Sequence, residues 1–108
     1  MLCFELLNEV TSKDYCKIWN KIANTCIERI RKIAPTVRIL VGSYWNNHVA
    51  AVRDMDLPHD ENIVYNFHCY EPLIFTHQGA GWIPKMDLSF RMNLDAPYSD
   101  YDKFTKAN

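Results

Sequence analysis

Residues 12–34 carry a hydrophobic stripe that leaves this chain few ways to fold. Tyr15, Ile18, Trp19, Ile22, Ala23, Cys26, Ile27, Ile30, Ile33 and Ala34 recur at steps of three and one. That spacing lines them along one side of an α-helix. Lys13, Lys17, Lys21, Asn24, Glu28, Arg31 and Lys32 fill the other side. Thr11 and Ser12 are both N-cap candidates, and Asp14 follows Thr11 by three residues, as in a capping box. Pro35 ends the helix, because the residue before a proline is pushed away from helical angles.

Short apolar runs flank this helix at residues 2–8 and 37–41, and a third lies at residues 63–67. The first run places Cys3, Phe4, Leu6 and Leu7 on both faces of an extended segment. A strand buried on both faces belongs in a parallel sheet covered by helices. Strand, long helix, strand, short connection, strand predicts right-handed βαβ units and an α/β fold. The connection at residues 46–58 has room for one or two helical turns, and residues 72–84 read as a long loop rich in aromatics and glycine. Beyond residue 85 the chain is polar, with only weak helix signals near Tyr101.

A length of 108 residues bounds the chain to one domain or part of one. With 48% hydrophobic and 23% charged residues it has the balance of a folded globular chain. A net charge of -1 argues against nucleic acid as a partner, because phosphate binding needs a strongly basic patch. No apolar run approaches the roughly 20 residues of a membrane helix. The N-terminus begins at once as a strand, without the basic head and cleavage site of a signal peptide, which suggests a piece of a larger domain. Cys3, Cys16, Cys26 and Cys69 show no C-x-x-C spacing and are expected to be free or buried. His48, His59, His68 and His77 lack the spacing of a metal site. There is no glycine-rich phosphate loop and no G-x-S-x-G elbow, so no cofactor is expected.

The polar residues with chemical potential sit at the C-terminal ends of the three predicted strands. Asn8 and Glu9 end the first, Tyr44, Trp45 and Asn46 follow the second, and His68, Tyr70 and Glu71 follow the third. In parallel α/β folds ligands bind at that edge. A carboxylate ending an apolar strand is partly desolvated, which favours its protonated form and suits Glu9 to general acid work. A salt-bridged structural role is the competing reading. Asn8 can donate to a sugar hydroxyl or cap the following helix. His68 and Tyr70 share one side of an extended segment, so they can act together on a substrate, or the histidine can be satisfied by the backbone of a packed loop. Tyr44, Trp45, Tyr70 and Trp82 are loop aromatics whose faces could stack on sugar rings or pack within the loops. Trp19 lies on the helical stripe and belongs to the core.

The segment Phe4-Glu5-Leu6-Leu7-Asn8-Glu9-Val10 resembles the Asn-Glu strand of glycoside hydrolase family 5. Residues 67–72 (FHCYEP) with residues 75–80 (FTHQGA) resemble that family's sixth strand and loop, and residues 41–46 (VGSYWN) look like the end of its fifth. The resemblance spans the chain from Met1 to about Trp82, and the block from His68 to Ala80 is its most specific part. It implies strands four to six of a (β/α)8 barrel that cuts internal β-1,4 bonds of a glucan with retention. Glu9 would be the acid/base, and Asn8 would hold the sugar 2-hydroxyl. His68 and Tyr70 would line the subsite beside the scissile bond, with Trp45 and Trp82 flanking the cleft. The implied partner is a β-glucan polymer or oligosaccharide, and the family analogy implies secretion.

The resemblance has gaps. Retention needs a second carboxylate about 5–5.5 Å from the first. Asp87, Asp95, Asp100 and Asp102 occur in the tail, but no glutamate follows Glu71. Val10 stands where many relatives have proline. The expectation is therefore part of an enzyme, inactive in isolation and prone to self-association through open sheet edges. The alternative is a small non-catalytic α/β module that binds a glycan or a protein partner through its aromatic loop.

Overall fold

The computed structural model describes residues 2–91 and 93. It divides into two compact units, Met1–Cys69 and Tyr70–Asn108. The first unit holds strands β1 (Cys3–Glu5), β2 (Arg38–Gly42) and β3 (Ile63–Asn66), with the long helix α1 (Cys16–Ile33) between β1 and β2. The three strands form one parallel sheet in the order β1-β2-β3. Register pairs Phe4 with Ile39 and Ile39 with Ile63, while Glu5 pairs with Leu40 and Leu40 with Val64. Because side chains alternate, each of these rows lies on its own face of the sheet.

One face is closed by α1. Trp19, Ala23 and Ile27 sit one turn apart and join Ile39, Val41, Tyr44 and Ala51 in a single core. Ile39 and Val41 are 0% exposed. Burying side chains of this size stabilises the packing by about 1.5–3 kcal/mol each. The Trp19 indole donates to the Gly42 carbonyl at 2.8 Å, so its polar edge is satisfied inside the core. The stripe nevertheless splits. Tyr15, Ile18, Ile22 and Ile33 remain exposed, Ile33 at 87%. A helix on a three-stranded sheet can bury only the side chains that point at it.

The same geometry corrects the expectation that the first strand is buried on both faces. All three residues of β1 are exposed. Among the described residues the strand pairs on one edge only, and α1 covers the central strand β2 rather than β1.

Helix entry is set by Ser12, whose hydroxyl accepts from the Asp14 amide at 3.1 Å and caps a 3-10 turn over Lys13–Tyr15. The N-cap role considered for Asn8 therefore falls to Ser12. Several polar residues of α1 face the chain rather than solvent. Asn20 donates to the Asp54 carbonyl and accepts from the Asp56 amide, and Asn24 donates to the Asp56 carbonyl. Arg31 pairs with Asp60 at 2.5 Å and donates to the Val37 carbonyl. They tie α1 to the end of a 3-10 stretch, Val49–Asp54, to the residues just after it, and to the turn before β3.

In the second unit a short helix, Leu73–Thr76, opens after Pro72 inside the stretch read as loop. Ile74 in this helix and Ala80 after it are buried. Thr76 donates its hydroxyl to the Tyr70 carbonyl at 2.6 Å. The weak helix signals near Tyr101, together with Asp95, Asp100 and Asp102, lie outside the described residues. All four cysteines are free, and no described helix is long and apolar enough to cross a membrane.

Candidate active site

The backbone beyond β1 and β2 is held in an unusual conformation. Glu9 has φ 48°, and Trp45, Asn46 and Asn47 have φ 58°, 55° and 55° in succession. Left-handed angles cost an L-residue roughly 1–2 kcal/mol, somewhat less for asparagine, so the surroundings must hold them. The Asn46 amide donates to the Val10 carbonyl at 2.8 Å, joining the ends of β1 and β2. The His68 amide donates to the Asn47 carbonyl at 2.9 Å, joining the ends of β2 and β3. The Ser43 hydroxyl, on a fully buried residue, donates to the His48 carbonyl. Strain of this kind gathers where side chains must be aimed rather than merely packed.

The aim of these turns is visible at Glu9. His68 Nδ1 lies 2.6 Å from Glu9 Oε1, although the two residues are 59 positions apart. Both side chains are about a quarter exposed, at 24% for His68 and 26% for Glu9, so the pair is partly desolvated yet reachable. Asn47 Nδ2 lies 3.4 Å from the other ring nitrogen, His68 Nε2. Asn47 is itself fully buried. Its place exists because residue 42 is glycine: a Cβ there would come within 2.4 Å of the Asn47 amide. Glycine here permits a close approach rather than a turn.

Trp45 stands beside this group. His48 stacks on its ring with centroids 4.0 Å apart and planes within 9°. The Lys13 ammonium lies 3.7 Å from the ring centroid, a cation–π contact. Trp45 therefore meets neighbours over its ring faces. His48 is in turn fixed by the Ala50 amide, which donates to its Nδ1 at 3.1 Å.

Of the residues singled out from sequence, the first unit brings Glu9 and His68 into contact, leaves Asn8 exposed next to Glu9, and sets Trp45 in the adjoining turn. Tyr70 and Trp82 belong to the second unit. There Tyr70 is edge-on to His77, with centroids 5.0 Å apart, and Trp82 is 79% exposed. Sequence reasoning missed Asn47 and Gly42. The available signal was the glycine ending an apolar strand five residues before a second asparagine. Asn66, at the end of β3, donates to Glu5, at the end of β1, at 2.8 Å. Among the described residues no group of three histidines, cysteines or carboxylates is placed to hold a metal.

This arrangement can hold a carboxyl group at the mouth of a parallel sheet, orient it through an imidazole, and let it exchange a proton with a bound molecule. The sequence pattern of the Cellulase family (glycosyl hydrolase family 5) matches residues 1–108. Cellodextrinase A of Ruminococcus flavefaciens is 55% identical over 94 residues, which is 87% of this chain and 28% of that protein. The crystal structure of the cellulose synthase subunit Z of Clostridioides difficile superposes with a TM-score of 0.78 at 31% identity, over 97% of this chain and 35% of that one. A hyperthermophilic endo-beta-1,4-glucanase in complex with substrate superposes with a TM-score of 0.71 at 34% identity, over 79% of this chain and 27% of its own length. The chain thus spans about a third of each protein it resembles, or less.

Proposed function

The chain belongs to glycosyl hydrolase family 5, its sheet forming three neighbouring strands of that family's (β/α)8 barrel, and on that premise we propose that it supplies the proton donor of a retaining β-1,4-glucanase. Glu9 is the acid/base. In the first step its carboxyl proton passes to the glycosidic oxygen as a second carboxylate attacks the anomeric carbon. In the second, the Glu9 carboxylate takes a proton from the water that releases the sugar. The attacking carboxylate comes from a part of the barrel other than residues 1–108.

The observation that carries this reading is the 2.6 Å contact between Glu9 and His68 at the C-terminal ends of the strands, the edge where barrels of this kind bind substrate. An imidazole donor there fixes the carboxyl orientation without removing it from solvent. Asn8, exposed beside Glu9, donates to a hydroxyl of the sugar ring being cleaved. Tyr70 lines the subsite next to the scissile bond, and Trp45 and Trp82 each contact the glucan. The substrate is a cellulose-like glucan or its oligosaccharides, in keeping with the cellodextrinase and endoglucanase names of its relatives.

The test is Glu9→Gln in the full-length protein that carries this segment. Glutamine keeps the shape and removes the exchangeable proton. Glucan cleavage is expected to fall by about 10²–10⁴-fold, the usual worth of a positioned acid/base, while oligosaccharide binding is retained. Cleavage at the native rate would remove Glu9 from the mechanism.

A further inference from the structure

Asn47 stands outside every role assigned above, yet it is fully buried, strained and housed in a space that only a glycine leaves open. From this geometry we propose that Asn47 is a positioning residue that locks His68 in the tautomer protonated on Nδ1. The proposal rests on Glu9 being the acid/base and specifies which of its oxygens carries the proton.

The amide nitrogen of asparagine can only donate. Facing His68 Nε2 at 3.4 Å, it is complemented when that nitrogen is bare and accepts. A neutral imidazole with a bare Nε2 must carry its proton on Nδ1, the atom 2.6 Å from Glu9 Oε1. Oε1 is then an acceptor throughout the cycle, and the exchangeable proton is confined to Oε2. In the first step that proton leaves Oε2 for the leaving oxygen. In the second, Oε2 takes one from water. His68 gains and loses none, so the carboxyl group keeps one orientation in both steps.

Asn47 meets His68 at two points. The Asn47 carbonyl accepts from the His68 amide, so backbone and side chain of one residue both hold the histidine. The Asn47 Oδ1 atom is buried and has no hydrogen-bond partner among the described residues. Asparagine also tolerates the left-handed backbone here better than most residues.

The experiment uses the full-length protein carrying this segment, labelled with 15N-histidine, and reads the His68 ring nitrogens by NMR. Nδ1 is expected to be protonated and Nε2 bare. In Asn47→Asp, which preserves size and backbone preference, an acceptor replaces the donor. Nε2 is expected to gain a proton, and kcat to fall about ten-fold or more with KM within about two-fold. A purely structural Asn47 would leave the ring pattern and kcat unchanged. That outcome, or a native His68 protonated on Nε2 alone, overturns the proposal. Should Asn47→Asp not fold, the native spectrum decides. The ring pattern is read without turnover, so it is separate from the fate of the Glu9→Gln test.

Discussion

Gly42 ends β2 and shows how one missing methyl group organises the site. An added Cβ would lie 2.4 Å from both amide atoms of Asn47, closer than any relaxed contact. Asn47 is too short and too buried to swing away. Gly42→Ala in the full-length protein is therefore expected to cost about 1–3 kcal/mol in denaturant unfolding, and to lower kcat by misplacing His68. Tyr44, next but one along, is held differently. Its hydroxyl donates to Asp54 at 2.7 Å, and this bond to a carboxylate, then burial, push the phenol up to about 12. The folded value lies above the ordinary phenol value of 10.0, so the unfolded chain loses its proton first. The stabilisation is complete below the unfolded value and is lost as pH rises through the window from 10.0 to about 12. Denaturation midpoints measured across that window are expected to fall more steeply for the native protein than for Tyr44→Phe.

α1 is the element with the clearest division of labour. Trp19, Ala23 and Ile27 face β2, while Ile18 and Ile22, on the neighbouring rows of the same helix, do not. Truncating Ile27, which is 2% exposed, leaves a cavity in the core. In the 108-residue chain Ile27→Ala is expected to cost about 2–5 kcal/mol, and Ile22→Ala to stay within about 0.5 kcal/mol, both read by denaturant titration at one fixed protein concentration, because the chain is expected to self-associate. Equal costs would show that the stripe is buried along its whole width. The polar side of α1 is no idle solvent face either. Through Asn20, Asn24 and Arg31 it secures the turns that lead into β3.

At the scale of the whole molecule the sheet decides behaviour. Among the described residues β1 and β3 each pair on one side only, and Phe4, Val64 and Tyr65 are exposed on or beside those edges. Unpaired edges with apolar side chains recruit further strands. The 108-residue chain alone is expected to sediment as species larger than a monomer. It is also expected to release no reducing sugar from soluble glucan, because one carboxyl group cannot both donate the proton and attack the sugar. A monomeric, active preparation would contradict both the reading of the edges and the need for a second carboxylate.

The order of elements was legible without coordinates, because helical and strand periodicity are local properties of a chain. The stripe of residues 12–34, its stop at Pro35 and the apolar runs beside it sufficed for a parallel α/β unit. The resemblance carried by Asn8, Glu9 and the block from His68 to Ala80 was enough to name the family. Tertiary structure decided which half of the stripe is buried, why β1 is exposed, and that Asn24 and Arg31 hold turns rather than face water. It alone singled out Asn47 among the chain's loop asparagines. The reason is distance along the chain: Glu9, Gly42, Asn47 and His68 acquire meaning only when three strand ends close on one another, and no local pattern encodes that closure.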